Sequence, residues 1–161
     1  MRTDSHGGNA DIEYGHHLVH AAKVAFASDA NTTVTSVVYL ITVGAVPLHL
    51  AMRAIFTTIG TLKLTEGVTA TDGSAIGWTA FNRIENPSKR IPVSTISKTP
   101  TGVAGGVALP VHNVVANAPT VPGIRVGIEY DLLPSTKYLV TLTLASGNAN
   151  IEFEGYEEAS T

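Results

Sequence analysis

The sequence predicts an all-β fold, an antiparallel β-sandwich of jelly-roll type with a flexible N-terminal arm, and three observations predict it. Apolar and polar residues alternate with a period of two through most of the chain after residue 30, the pattern of strands with one buried and one solvated face. Thr, Ser, Val and Ile are abundant, and 15 Gly and 8 Pro punctuate them; β-branched side chains suit a pleated surface, while Gly and Pro suit tight turns. Only Val19–Ser28 has helical potential, and His17–Phe26 fits a short strand equally well.

Residues 1–15 are polar, contain Gly and lack periodicity, so they read as an arm with no reason to fold alone. The remainder, 16–161, reads as one β-sandwich domain. Thr33–Thr42 is apolar on both faces, as expected of a central strand or one covered by another subunit. Leu48, Leu50, Met52, Ala54 and Phe56 alternate with His49, Ala51, Arg53, Ile55 and Thr57. Leu62 and Leu64 alternate with Thr61, Lys63 and Thr65. Near the end, Tyr138, Val140, Leu142 and Leu144 form one inward row, and Ile151 and Phe153 form another. Turn signals separate the runs at Asp72-Gly73, Asn86-Pro87, Pro122-Gly123, Leu133-Pro134-Ser135 and Ser146-Gly147-Asn148. The last of these predicts a closing hairpin. Residues 99–123 form a long Gly/Pro-rich excursion, a kind of segment that is functional, interface-forming or disordered.

Composition narrows function. Apolar residues reach 44% but charged residues only 14%, well below the roughly 25% of ordinary soluble domains. With a net charge of -3 and no basic stripe, binding of nucleic acid is not expected. The absence of cysteine excludes disulfide frameworks, thiol catalysis and cysteine-zinc sites. The N-terminus has no apolar core of a secretory signal. The longest apolar stretch, Val37–Ala54, is broken by Thr42, Gly44, Pro47, His49 and Arg53, so no membrane partner is expected.

Candidate chemistry is sparse. Asp11, Glu13, His16, His17 and His20 form the densest cluster. His16 and His20 would share a helix face and could bind a metal with Glu13. On a strand they lie about 13 Å apart at roughly 3.3 Å per residue, too far for one ion. The simpler reading is polar or interface histidines, so no metal and no cofactor is expected. No GxSxG elbow is present. Glu152 and Glu154 share a strand face but read as solvated surface rather than as a glycosidase pair. Gly105-Gly106 lacks the lysine and helix of a phosphate loop. Trp78, Phe81 and Tyr156 could stack on sugars, although core or interface roles explain them as well. No catalytic residues are assigned, and the chain is not expected to be an enzyme.

Three blocks carry a resemblance. The first is LTEGVTATDGSAIGWTAFN, with Leu64, Glu66, Gly67, Thr69, Asp72 and Gly73 leading to Phe81 and Asn82. The second is Thr99-Pro100-Thr101. The third holds Leu133, Pro134, Ser135, Thr136, Tyr138, Leu139, Val140 and Gly147, with Tyr156 and Glu157 in an aromatic-acid tail. In order and spacing these blocks resemble a family of small virion proteins of tailed bacteriophages, over about residues 13–158. Two departures stand out: Arg83-Ile84-Glu85-Asn86 replaces a more basic, Asn-rich stretch, and the Gly-rich region lacks a Trp before the closing block. The resemblance implies a capsid decoration protein, a structural cement on the outside of the icosahedral head. It implies the major capsid protein as partner, a homotrimer, and a place on the virion surface after assembly in the host cytoplasm. Under that reading Asp11, Glu13, His16, His17 and His20 are the candidate capsid contacts. The alternative is a virion-displayed jelly-roll module, a tail or head-fibre accessory recognising a surface glycan.

Overall fold

A computed structural model of the chain describes residues 25–80, 91–114 and 128–157. Of these, 77% are in strands and none in a helix, and the strands form one antiparallel sheet curled into a half-barrel. The all-β, antiparallel expectation holds. The core is closed by the curl of a single sheet rather than by two separate sheets, so the sandwich and jelly-roll particulars are not reproduced.

In chain order the strands are β1 (Ala25–Thr42), β2 (Leu48–Phe56), β3 (Gly60–Thr71), β4 (Ser74–Ile76), β5 (Thr79–Ala80), β6 (Thr95–Lys98), β7 (Thr101–Ala108), β8 (His112–Val114), β9 (Ile128–Leu132) and β10 (Lys137–Glu157). Three long paths make the frame. β10 runs antiparallel to β1 along nearly its whole length. On its other edge β10 pairs β2 through Ala149–Glu157 and β3 through Tyr138–Leu144, so β2 and β3 are successive parts of one path.

All three paths break at one level. β1 shifts register between Asn31 and Val34 and again between Val34 and Ser36. β2 gives way to β3 at Thr57–Ile59. β10 carries Gly147 there, at φ +150°. One backbone bond and two threonine hydroxyls bridge the broken ladder. Thr57 N donates to Asn148 O at 3.0 Å, Asn148 N donates to Thr57 Oγ1 at 2.8 Å, and Thr58 Oγ1 donates to Ser146 O at 3.1 Å. Ser146-Gly147-Asn148 is therefore a bend within one 21-residue strand, correcting the expected hairpin. Glycine and bulges at such a corner let a strand pass from one packing layer to the next.

The bend divides the sheet into two wings. One holds β5, the start of β1, the end of β10, β2 and β9; the other holds β4, β6, the end of β1, the start of β10, β3, β7 and β8. Their inner rows make one core, with Leu48, Leu50, Met52, Phe56, Ile151 and Phe153 facing Tyr39, Ile41, Leu62, Leu64, Tyr138 and Leu142. Tyr39 and Phe153 meet edge-to-face across it, centroids 5.6 Å apart. Apart from Tyr39 and Ile41, which lie in the run read as apolar on both faces, these are the inward positions that alternation assigned.

β3 outruns β10 after Glu66 and, paired with β7, folds over the outer face of its own wing. Lys137 Nζ donates to Ala70 O at 2.7 Å, Thr42 Oγ1 donates to Asp72 at 3.3 Å, and Gly73 N donates to Ser97 Oγ at 3.2 Å. Leu40 faces away from Tyr39 and Ile41 yet is equally buried. The doubly apolar run Thr33–Thr42 is thus central, and the chain itself covers Leu40. Within the 99–123 excursion, Thr101–Ala108 and His112–Val114 are strands on β3. Gly content hid the first, because Gly102, Gly105 and Gly106 all take positive φ while β7 stays in the ladder.

Candidate functional site

Several of the described ionisable groups serve structure. Arg53 pairs with Glu152 at 3.4 Å on the outer face. Glu157 accepts from Val93 N at 2.8 Å and from Ser94 N at 2.7 Å, fastening the strand end to the loop before β6. Trp78 Nε1 donates to Ser94 O at 2.8 Å and its ring lies over Gly155, a core-flanking role. Tyr156 is buried and stacks on His49 at 4.6 Å, and His49 Nδ1 lies 2.6 Å from Asp131. Tyr156 therefore offers no open face of the kind a sugar would need, while Trp78 is half-buried. Phe81, Asp11, Glu13, His16, His17 and His20 lie outside the described residues. Among the described residues, no three His, Asp or Glu are placed to hold a metal, and no helix is long and apolar enough to cross a membrane.

The arrangement that stands out lies at the bend, along the edge of β1 that faces away from β10. Asp29 and Asn31 occupy inner-face positions two residues apart, where the pattern elsewhere places apolar side chains. Asp29 Oδ2 receives Lys98 Nζ at 2.9 Å, Tyr39 OH at 2.8 Å and Asn31 Nδ2 at 2.9 Å. Asn31 Nδ2 also approaches Ala149 O at 3.2 Å, tying the network to β10 at the corner. Burial alone would raise the Asp29 carboxyl, but the hydrogen bonds from Lys98, Tyr39 and Asn31 outweigh it and hold it below the usual range. Burial, then the Asp29 hydrogen bond, pushes the Tyr39 hydroxyl well above its ordinary value. The lysine and carboxylate neutralise one another, and the network pins the wings where the backbone ladder fails.

Beside this network runs a groove of about 730 Å³. Its floor is β1 from Ala30 to Val38, and its walls are Leu139 and the Lys98–Pro100 turn with Val103 of β7. The row of strands flanking β1 here is incomplete. β5 pairs Ala25 and Phe26, and β6 pairs Tyr39–Thr42. Between them β1 has no strand partner on that edge among the described residues. The row stops because Thr99, after donating its N–H to Val38 O at 2.9 Å, takes φ +57°, and Pro100 has no N–H to give.

Parts of all three sequence blocks meet on the wing that carries this groove, whereas Tyr156 and Glu157 of the third lie on the other wing and Phe81 and Asn82 of the first lie outside the described residues. Thr71 pairs Thr101, Glu66 pairs Tyr138, and Lys137 lies 3.9 Å from Asp72. Tyr138 OH accepts from Leu133 N at 2.9 Å, closing the third block on itself. Sequence reasoning missed Asp29, Asn31, Tyr39 and Lys98. A signal was there: two polar residues at period two just before an apolar strand. Comparison of the chain with protein-family models, with curated proteins and with solved structures found no match.

Proposed function

We propose that the chain is a structural component of a tailed-phage virion that decorates the outside of the capsid and cements neighbouring shell subunits. The observation that carries this reading is that residues 64–73, 99–101 and 138–140, parts of the three resembling blocks, adjoin on one wing. They build the β3–β7 flap, the Lys98–Thr101 turn and the Leu133–Tyr138 turn, all elements of shape rather than of chemistry. Exposed apolar side chains on or near these elements, Val103, Val107 and Leu133, are 42%, 71% and 55% accessible and suit a surface that meets another protein. A homotrimer on the capsid surface, the major capsid protein as partner and assembly in the host cytoplasm belong to the same reading through the resemblance. Asp11 and Glu13 of the arm and the nearby His16, His17 and His20 remain its candidate contacts to the shell. The burial of Tyr156, stacked on His49, favours this reading over glycan recognition.

Counting copies of the chain in purified virions tests it. A shell component is present in hundreds of copies and rebinds heads stripped of it. A few copies per virion, or failure to rebind, would overturn the reading.

A further inference from the structure

We propose that the gap beside β1 is a docking slot in which an extended, uncharged segment of the capsid subunit adds as a strand, antiparallel to β1 and in line with β6. The proposal rests on the capsid-binding reading and names the contact through which it works. The slot is strand-shaped at both ends, because β5 and β6 occupy the same edge of β1 and both run antiparallel to it. Main-chain hydrogen bonding along an open sheet edge supplies affinity, and pockets beside alternate side chains supply selectivity.

The groove also specifies the charge of its occupant. Lys98 is the one ionisable residue in the lining, and Asp29 neutralises it at 2.9 Å. A charged side chain entering would lose water without gaining a partner, whereas an uncharged one meets Val34, Val38, Val103 and Leu139. The Asp29–Asn31–Tyr39 network holds the floor in one conformation before binding, so little ordering is left to oppose association. The register shifts between Asn31 and Ser36 confine regular pairing to the part of the edge nearest Val38, so the added strand is short.

The test uses the full chain and heads assembled without it, with amide exchange read on Thr32–Val38 before and after binding. Exchange there is expected to slow at least tenfold on heads. Val103→Glu, placing a charge in the groove at a half-exposed site, is expected to weaken head binding at least tenfold. Ile59→Glu, the same change at a residue 70% exposed on the bend, is expected to stay within twofold of the unaltered chain. If heads are bound but exchange at Thr32–Val38 is unchanged, or Val103→Glu binds normally, the slot is not the contact and only this proposal falls. If the unaltered chain does not bind heads, the capsid reading falls and the proposal with it. Should Val103→Glu fail to fold, the exchange measurement on the unaltered chain decides alone.

Discussion

Phe153→Ala isolates what joins the two wings. Phe153 is fully buried, pairs with Ala27 on one side and Met52 on the other, and meets the Tyr39 ring edge-to-face. Returning a buried Phe ring to water costs about 2–3 kcal/mol. Losing the aromatic contact adds about 1 kcal/mol. The cavity left between two wings that cannot close independently brings the total to about 3–5 kcal/mol. For a chain of this length that is a fall in melting temperature of about 10 °C. Glu154→Ala, one residue on and exposed on the opposite face, is the control and should change stability by under about 0.5 kcal/mol. Urea denaturation followed by tyrosine and tryptophan fluorescence reads both. Equal costs would mean the register of β10 is wrong by one residue and every side chain on it faces the other way. A cost below about 1.5 kcal/mol for Phe153→Ala would mean that the wings are not packed on one core.

Gly147→Ala should destabilise by about 1–3 kcal/mol, because φ +150° strains an L residue and its Cβ would run into Thr57 Oγ1; a neutral result in thermal melts would remove the bend as a glycine-dependent corner. Asp29 is held below its unfolded value, so its contribution is complete above about pH 4 and is lost as pH falls through the lower folded value; Asp29→Asn should flatten that acid limb in denaturant titrations, and an unchanged limb would refute the assignment. The Tyr39 hydroxyl is raised instead, so stability should begin to fall above about pH 10, where the unfolded tyrosine ionises and the buried one does not; Tyr39→Phe should remove that alkaline slope. With 10 basic and 13 acidic residues and a neutral groove, binding to heads should weaken less than about threefold between 0.05 and 0.5 M salt, and a steep salt slope would point to a charge-driven contact.

Alternation located the core because it is a local property. Leu48, Leu50, Met52, Tyr138, Leu142 and Phe153 each face inward wherever their strand goes, so their burial could be read before any pairing was known. The bend could not be read that way. Ser146-Gly147-Asn148 has the composition of a turn, and strands are usually five or six residues long, so two alternating runs flanking it imply a hairpin. Only the partners, β2 on one side of the break and β3 on the other, show that a single 21-residue strand passes through. The same ambiguity hid β7, whose glycines suit either a loop or an irregular edge strand.

The candidate groove was illegible for a related reason. Asp29 and Asn31 carry a recognisable signal, polar residues on what becomes an inner face, but it has meaning only once β1 is known to include Ala25–Asn31. Their partner Lys98 lies 69 positions after Asp29, on a strand whose four residues show little periodicity of their own. What borders the groove is a stretch of β1 with no strand partner among the described residues: β6 ends at Lys98 because a left-handed Thr99 and then a proline follow it, and no residue type marks the edge beyond. A sequence records what each residue prefers, and an open edge is set by where its neighbours stop. The bend and the gap have one origin in the chain. At the bend β1 breaks register against β10, and at the end of β6 the chain turns to start β7, so the sheet loses its regular ladder on both sides of the same stretch of β1. The Asp29–Lys98 pair crosses that stretch, and replacing it should loosen the corner and deform the groove together.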